Sequence, residues 1–265
     1  MTSRLQATGL TLAYDRRVIS EDLDLEVPDG SFTVVVGPNA CGKSTLLRSL
    51  ARLLEPRQGQ VLLDERPLSG YRPKQAARAI GLLPQSSVAP DGIRVVDLVS
   101  RGRFPYQKLV RQWTADDDRA VQQAMQATDV TQLAEREVGE LSGGQRQRVW
   151  AAMAIAQQTP ILLLDEPTTF LDISHQIELL DVFARLNQDD GVTVVAVLHD
   201  LNQAVRYATH LVVMKQGQVV ATGDPDQVLT ADLVREVYGL DCVVVPDPVS
   251  TTPMVVPTAG AWRRR

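Results

Sequence analysis

Short apolar runs alternate with helical repeats along most of the chain. Runs of consecutive apolar residues that fit buried strands stand at 33–36, 80–83, 161–165 and 192–198. A later pair of runs, at 211–214 and 219–221, flanks a turn that contains Gly217, which predicts a hairpin. Apolar residues spaced by three and four predict helices at 43–54, 115–127, 143–157, 173–187 and 201–208. Strands that alternate with helices are typical of an α/β fold with a largely parallel sheet.

The pattern becomes helical and charged between residues 85 and 141, without a clear strand. This change predicts a helical insertion, in which Thr114 and Asp117 form a capping box for the helix at 115–127. After Gly239 the composition shifts to Val, Pro and Thr, and the arginines at 263–265 indicate a solvated terminus. We therefore expect one domain, with a core at 1–85 and 142–238, a helical subdomain at 86–141 and a C-terminal β extension and tail at 239–265.

Charge and composition narrow the possible functions. The chain has 265 residues, and 27 Lys and Arg against 32 Asp and Glu leave a net charge of −5, which argues against nucleic acid as a main partner. No apolar run approaches the roughly 20 residues that span a bilayer, and no secretory signal precedes the first strand. We therefore expect a cytoplasmic protein. The two cysteines, Cys41 and Cys242, lie in no zinc-binding spacing.

A glycine-rich segment carries the strongest chemical signal. Residues 37–44 match G-x-x-x-x-G-K-[ST] between a predicted strand and a predicted helix, the context of a phosphate-binding loop. Lys43 is expected to neutralise the β- and γ-phosphates of a nucleotide, and the Ser44 hydroxyl to ligate Mg²⁺. Ala40 stands at a position of the motif where glycine is commoner, so the sequence does not determine the dihedral angles of the loop at this residue. Because Cys41 lies beside Lys43 and a helix N-terminus, we expect its thiol pKa to be lowered.

Polar residues follow two of the predicted strands. Asp165 and Glu166 end an apolar strand. Such an arrangement is common in proteins of many kinds. In a chain that also has a phosphate loop, however, it predicts a Walker B element. Asp165 would then hold Mg²⁺ through water, and Glu166 would polarise the attacking water. His199 ends the next strand and is expected to contact the γ-phosphate, while Asp200 is expected to be the N-cap of the following helix.

A second candidate anion site lies at the start of another helix. Ser142, Gly143, Gly144 and Gln145 precede the helical pattern at 143–157. A serine and two glycines there offer N–H groups, a hydroxyl and the helix dipole to an anion. A simple capped helix remains the alternative.

In their order along the chain, these motifs resemble those of ATP-binding cassette (ABC) ATPases, from about Leu5 to Val256. The resemblance implies a P-loop NTPase core, an antiparallel N-terminal β subdomain, an inserted helical subdomain, and hydrolysis of ATP with Mg²⁺. It assigns Gln85 to the Q-loop, Thr168–Asp172 to the D-loop and His199 to the switch position. Nucleotide binding falls to Tyr14, which stacks on adenine, and to Gly37, Pro38, Asn39, Ala40, Cys41, Gly42, Lys43, Ser44, Thr45, Ser142, Gly143, Gly144 and Gln145. Catalysis falls to Glu166, His199, Gln85 and Lys43, and Mg²⁺ binding to Ser44, Gln85 and Asp165.

The resemblance also implies partners. In this family the signature motif of one protomer, here Leu141–Gln145, completes the nucleotide site of the other in a head-to-tail homodimer. The dimer docks on two separately encoded transmembrane permease subunits, whose coupling helices contact the region 85–111, and it acts indirectly with a substrate-binding protein. The expected location is peripheral, on the cytoplasmic face of the inner membrane.

Three segments suggest the branch of the family. Residues 101–106, 145–157 with Trp150, and 168–173 resemble ATPases of ferric-siderophore importers. The expected function is ATP hydrolysis that energises uptake of an iron–siderophore complex. The alternatives are the ATPase of a cobalamin or haem importer, or a soluble ABC ATPase of an assembly pathway such as iron–sulfur cluster maturation.

Overall fold

A computed structural model describes residues 3–85, 88–107 and 113–258. The chain divides into two compact units, residues 1–66 with 197–265 and residues 67–196. The expected domain boundaries within 1–265 remain a prediction. Over the described part of the chain, none of the helices has the length and apolar character needed to cross a bilayer. The arginine tail at 263–265 and the end of the expected docking region at 111 lie outside the described residues.

The strands lie at both ends and in the middle of the chain. They are β1 Ser3–Tyr14, β2 Arg17–Pro28, β3 Phe32–Val36, β4 Gln58–Leu63, β5 Arg66–Pro67, β6 Ile80–Leu83, β7 Ile161–Asp165, β8 Thr193–Val197, β9 His210–Lys215, β10 Gln218–Gly223, β11 Cys242–Pro246 and β12 Pro253–Pro257. The helices are α1 Lys43–Leu50, α2 Pro73–Ala79, α3 Val95–Ser100, α4 Ala115–Ala127, α5 Gly143–Ala156, α6 Ile173–Asp190, α7 Leu201–Tyr207, α8 Pro225–Val228 and α9 Ala231–Tyr238. Short 3₁₀ turns lie at Leu68–Gly70, Arg101–Tyr106, Thr131–Leu133 and Val138–Glu140.

The first unit combines an antiparallel and a parallel arrangement of strands. Strand β1 lies between β2 and β4 and runs antiparallel to both, which is the N-terminal β subdomain that the resemblance implied. Strand β9 lies between β3 and β10, parallel to β3. Every residue of β3 is buried, so this strand anchors the phosphate loop that follows it. At the C-terminal end, β11 and β12 form an antiparallel hairpin.

The second unit holds the rest of the α/β core and the helical segment. Strand β7 lies between β8 and β6, and β6 and β7 are parallel. Helix α5 packs against α3 and α4. The Arg103 guanidinium is buried there and donates to Asp117 over 2.9 Å and to the Ala156 carbonyl over 2.9 Å. This ion pair fixes the 3₁₀ turn at Arg101–Tyr106 to the start of α4 and the end of α5.

The predicted elements are confirmed with small differences at their ends. The strands at 80–83 and 161–165 and the helix at 115–127 are found with the predicted bounds, and the capping box of Thr114 and Asp117 is present. Helix α1 ends at Leu50 rather than at 54 because Arg52 takes a left-handed φ of +60°. Helix α6 extends to Asp190, where Gly191 ends it with a φ of +68°.

Candidate functional site

Two glycines of the phosphate loop take φ values that other residues rarely adopt. Gly37 has a φ of +153°, and a Cβ atom there would lie 2.2 Å from the Met214 carbonyl oxygen. Gly42, just before α1, has a φ of +106°. Ala40 adopts a left-handed φ of +61°, which answers the question that its place in the motif left open. The loop therefore keeps the conformation that glycine favours, and the left-handed φ of Ala40 costs a modest amount of conformational free energy.

The lysine of the loop folds back onto the loop backbone. Lys43 is 5% exposed, and its Nζ donates to the carbonyl oxygens of Gly37 over 2.8 Å and Pro38 over 3.0 Å. Within α1, all of whose residues the structure describes, no acidic residue stands in the first turn and no side chain caps the N-terminus. A buried ammonium and an uncapped helix start suit a phosphate group.

The thiol pKa of Cys41 is shifted in the direction opposite to the one expected from the sequence. Its side chain is buried, and this burial raises the pKa of the thiol, although Lys43 and backbone N–H groups act in the opposite direction. The expectation of a lowered pKa was wrong because desolvation of the thiolate outweighs the nearby positive charge. The Cys41 carbonyl oxygen instead has a structural role, since it accepts the Gly217 N–H over 2.9 Å.

Two further residues of the first unit carry expected nucleotide contacts. Tyr14, at the end of β1, is 40% exposed, and Arg48 of α1 donates to its phenol oxygen over 3.3 Å. His199 is exposed in the connection between β8 and α7. Asp200 is the N-cap of α7, as predicted, and accepts the Gln203 N–H over 2.9 Å. Sequence patterns gave no signal for Arg48, because it lies 34 residues from its partner.

In the second unit, the structure brings together two predicted catalytic residues. The Gln85 amide donates a 2.7 Å hydrogen bond to Oε2 of Glu166. Asp165 is 2% exposed, whereas Glu166 has a left-handed φ of +51° that turns the chain out of β7. Gln147 of α5, missed by the sequence analysis, donates to the Pro167 carbonyl over 2.9 Å and so fixes the segment after Glu166.

The signature segment forms both a capped helix and a cleft. Ser142 caps α5 by accepting the Gln145 N–H over 3.2 Å, and the Gln145 side chain accepts the Ser142 N–H over 3.2 Å. Cβ atoms on Gly143 and Gly144 would lie 3.3 Å from Phe170 and 3.2 Å from Leu171, so glycine permits the D-loop segment to approach closely. A cleft of about 360 Å³ is lined by Ser142, Gly143, Gly144, Gln145, Arg148, Phe170, Leu171, Asp172 and His175.

A buried strand, a phosphate loop with an inward lysine and a helix without a cap define a P-loop nucleotide-binding protein. A family model described as ABC transporter matches residues 20–169. The chain is 53% identical to the ferric enterobactin transport ATP-binding protein FepC of Escherichia coli, over 96% of this chain and 94% of FepC. It is 49% identical to the petrobactin import ATP-binding protein FpuD of Bacillus anthracis, over 100% and 97% of the two chains. The chain therefore belongs to the ABC transporter family and is one of its ATPases.

Solved structures show the same fold. A metal-chelate type ABC transporter in an inward-facing conformation matches with a TM-score of 0.82 at 29% identity, covering 97% of this chain and 98% of that chain. A dimeric bacterial ABC transporter cassette matches with a TM-score of 0.75 at 26% identity, covering 83% and 98%.

Proposed function

We propose that this ATPase energises the uptake of an iron–siderophore complex across the inner membrane. The observation that carries the proposal is the extent of its likeness to FepC, whose name refers to ferric enterobactin, over nearly the whole of both chains. The relative named for petrobactin import supports the same substrate class. A hemin import ATP-binding protein of Thermobifida fusca is also similar, at 42% identity, so haem is the second candidate cargo.

Residues of the first unit bind the nucleotide in this proposal. Lys43 neutralises the β- and γ-phosphates, backbone N–H groups of residues 39–45 surround their oxygens, and the Tyr14 ring stacks on adenine. His199 contacts the γ-phosphate and helps to hold the attacking water in line. The exposed ring of Tyr14 and the buried ammonium of Lys43 support these roles.

Residues of the second unit supply the base and its support. Glu166 accepts a proton from the attacking water, and Gln85 orients that carboxylate through the hydrogen bond to Oε2. Mg²⁺, when bound, would supply positive charge to the phosphate oxygens. Within this unit Gln85 and Asp165 would hold it, since amide and carboxylate oxygens are ligands that Mg²⁺ accepts.

We propose that two copies work together and dock on two permease subunits. The cleft at Ser142–Gln145 then receives the triphosphate bound by the partner copy, and the dimeric cassette among the solved relatives supports this arrangement. The permeases' coupling helices contact the region 85–111, where Phe104 is 54% exposed. A substrate-binding protein acts indirectly through the permeases. The ATPase itself is peripheral, on the cytoplasmic face of the membrane.

An uptake experiment in the source organism tests the cargo. A strain that lacks this chain should lose uptake of radiolabelled iron from a ferric siderophore and recover it with the wild-type chain but not with Glu166→Gln. Normal siderophore uptake with loss of haem or cobalamin uptake would move the assignment to those cargoes. Normal uptake of all three, with defective iron–sulfur enzymes, would indicate an assembly ATPase.

A further inference from the structure

The connection that carries His199 is held at both of its ends. On the strand side, the Leu198 N–H donates to the Val35 carbonyl oxygen over 3.3 Å. On the helix side, Asp200 caps α7. The position of the His199 backbone therefore depends on β3 on one side and on α7 on the other.

Helix α7 is too short to hold its own orientation. It has seven residues, and isolated helices below about 12 residues are marginal in water, so its position depends on what packs against it. Its far end is attached to β3, because Thr209 and Phe32 exchange two hydrogen bonds of 2.9 Å. Its first turn, nearest to His199, is attached elsewhere.

That attachment is a two-point hydrogen bond between Asn202 and the C-terminal hairpin. The Asn202 carboxamide accepts the Val255 N–H over 2.8 Å and donates to the Val255 carbonyl over 3.3 Å. A side-chain amide thus pairs with β12 as a neighbouring strand would. Val255 is 7% exposed whereas Asn202 is exposed, so the contact is partly buried.

The hairpin is itself fixed within the same unit. Arg235 of α9 donates to Asp241 over 2.7 Å, and the Thr258 N–H closes the base of the hairpin on the Asp241 carbonyl over 2.9 Å. At the other end, Asp247 accepts the N–H groups of Val249 and Ser250. The hairpin is therefore a rigid support rather than a loose end.

We propose that Asn202 is a positioning residue for His199, and that the β11–β12 hairpin is the fixed support through which it acts. The inference rests on the proposed role of His199 in ATP hydrolysis. Loss of the Asn202 pairing lets the first turn of α7 move, and the imidazole then spends less time in line with the γ-phosphate. Nucleotide binding is unaffected, because neither the phosphate loop nor Tyr14 depends on this contact.

Steady-state ATP hydrolysis by the purified full chain tests the proposal. Asn202→Ala should lower kcat by about 5- to 30-fold and leave KM for ATP within about twofold, since small misplacements of a catalytic group cost rate rather than affinity. Asn202→Asp, which keeps the acceptor and loses the donor, should fall between wild type and alanine. Val249→Ala, in the exposed hairpin turn, should match wild type.

A double-mutant cycle separates positioning from general stability. In a His199→Ala background, with residual turnover followed over long incubations, Asn202→Ala should cause no further loss, because it acts through His199. An equal fold loss in both backgrounds, or a lower melting temperature with unchanged kcat, overturns the proposal. If Asn202→Ala does not fold, Asn202→Asp is compared in the same two backgrounds. Unchanged turnover in His199→Ala alone would instead overturn the role of His199 in the proposed function.

Discussion

The side-chain amide of Gln85 donates a 2.7 Å hydrogen bond to Oε2 of Glu166, across 81 residues of sequence. Thr169 also points its hydroxyl at the same oxygen from 3.5 Å. The carboxylate of the proposed base is therefore contacted by Gln85, in the segment that we propose to face the permeases, and by Thr169 of the D-loop. In the proposed function, movement of either segment would change the orientation of Glu166, so the membrane subunits could act on the hydrolysis step through Gln85.

Replacing Glu166 tests its role as the base. Glu166→Gln should bind ATP with wild-type affinity and lose at least about 100-fold in turnover, because an amide cannot accept the proton of the attacking water. The trapped ATP state should accumulate as a dimer, which light scattering measures. Glu178→Gln, on the exposed side of α6, is the matched control and should behave as wild type. Near-normal turnover of Glu166→Gln would remove Glu166 from the role of base.

The buried lysine of the phosphate loop should determine nucleotide affinity. Lys43→Ala should weaken ATP binding by about 10- to 100-fold, the cost of losing a charge-assisted hydrogen bond to phosphate. Equilibrium binding of a fluorescent ATP analogue measures this. Lys74→Ala, which removes an exposed ammonium that donates to the Gln107 carbonyl, is the control. Micromolar affinity retained by Lys43→Ala would contradict the assignment of the loop.

The ring of Tyr14, rather than its hydroxyl, should bind adenine. Tyr14→Ala should raise the Kd for ATP by about 3- to 10-fold, as expected for loss of one stacking contact. Tyr14→Phe loses only the bond from Arg48 and should stay within about twofold of wild type. Isothermal titration of both variants decides between ring and hydroxyl. Equal losses in the two variants would mean that the Arg48 contact carries the effect.

The buried ion pair of the helical segment should make stability depend on pH. Burial alone would raise the pKa of Asp117, but hydrogen bonds from Thr114 and Arg103 hold it below the ordinary 3.8. Its contribution is therefore complete above that value and lost as the pH falls through the lowered pKa. At pH 7, Asp117→Ala should lower the free energy of unfolding by about 3–5 kcal/mol.

Denaturant unfolding at neutral and acidic pH measures both effects. The difference between wild type and Asp117→Ala should narrow below pH 3.8. Asp116→Ala removes an exposed ion pair with Arg119 and should cost under about 1 kcal/mol. A difference that is constant with pH would show that packing, rather than the charge of Asp117, stabilises this region.

Cys41 should be unreactive in the folded protein. Because burial raises its thiol pKa, alkylation by iodoacetamide at pH 7 should be much slower in the native state than after unfolding, with or without ATP. Mass spectrometry of labelled peptides identifies the site, and Cys41→Ser is the control. Rapid labelling of the native protein that ATP blocks would contradict this prediction and support the lowered thiol pKa that the sequence suggested.

The hydrophobic pattern located the buried strands well because β3, β7 and β8 are mostly apolar and are buried along their whole length. Strands β1 and β2 were not located individually, since polar residues interrupt them on their exposed face and β-bulges shift their register. The site residues could be listed from motifs, but not their contacts. The bond between Gln85 and Glu166 and the burial of Cys41 depend on residues far apart in the chain. Local charge at Cys41 therefore gave the wrong direction for its pKa.

The absence of side chains at Gly143 and Gly144 links two events that the motifs describe separately. Phe170 and Leu171 rest directly on these glycines, a few residues after Glu166. The start of α5 and the segment that leaves β7 are therefore in direct contact. In the proposed dimer, a rearrangement around Glu166 after hydrolysis should therefore also displace the signature segment of the same copy, which would couple the two nucleotide sites.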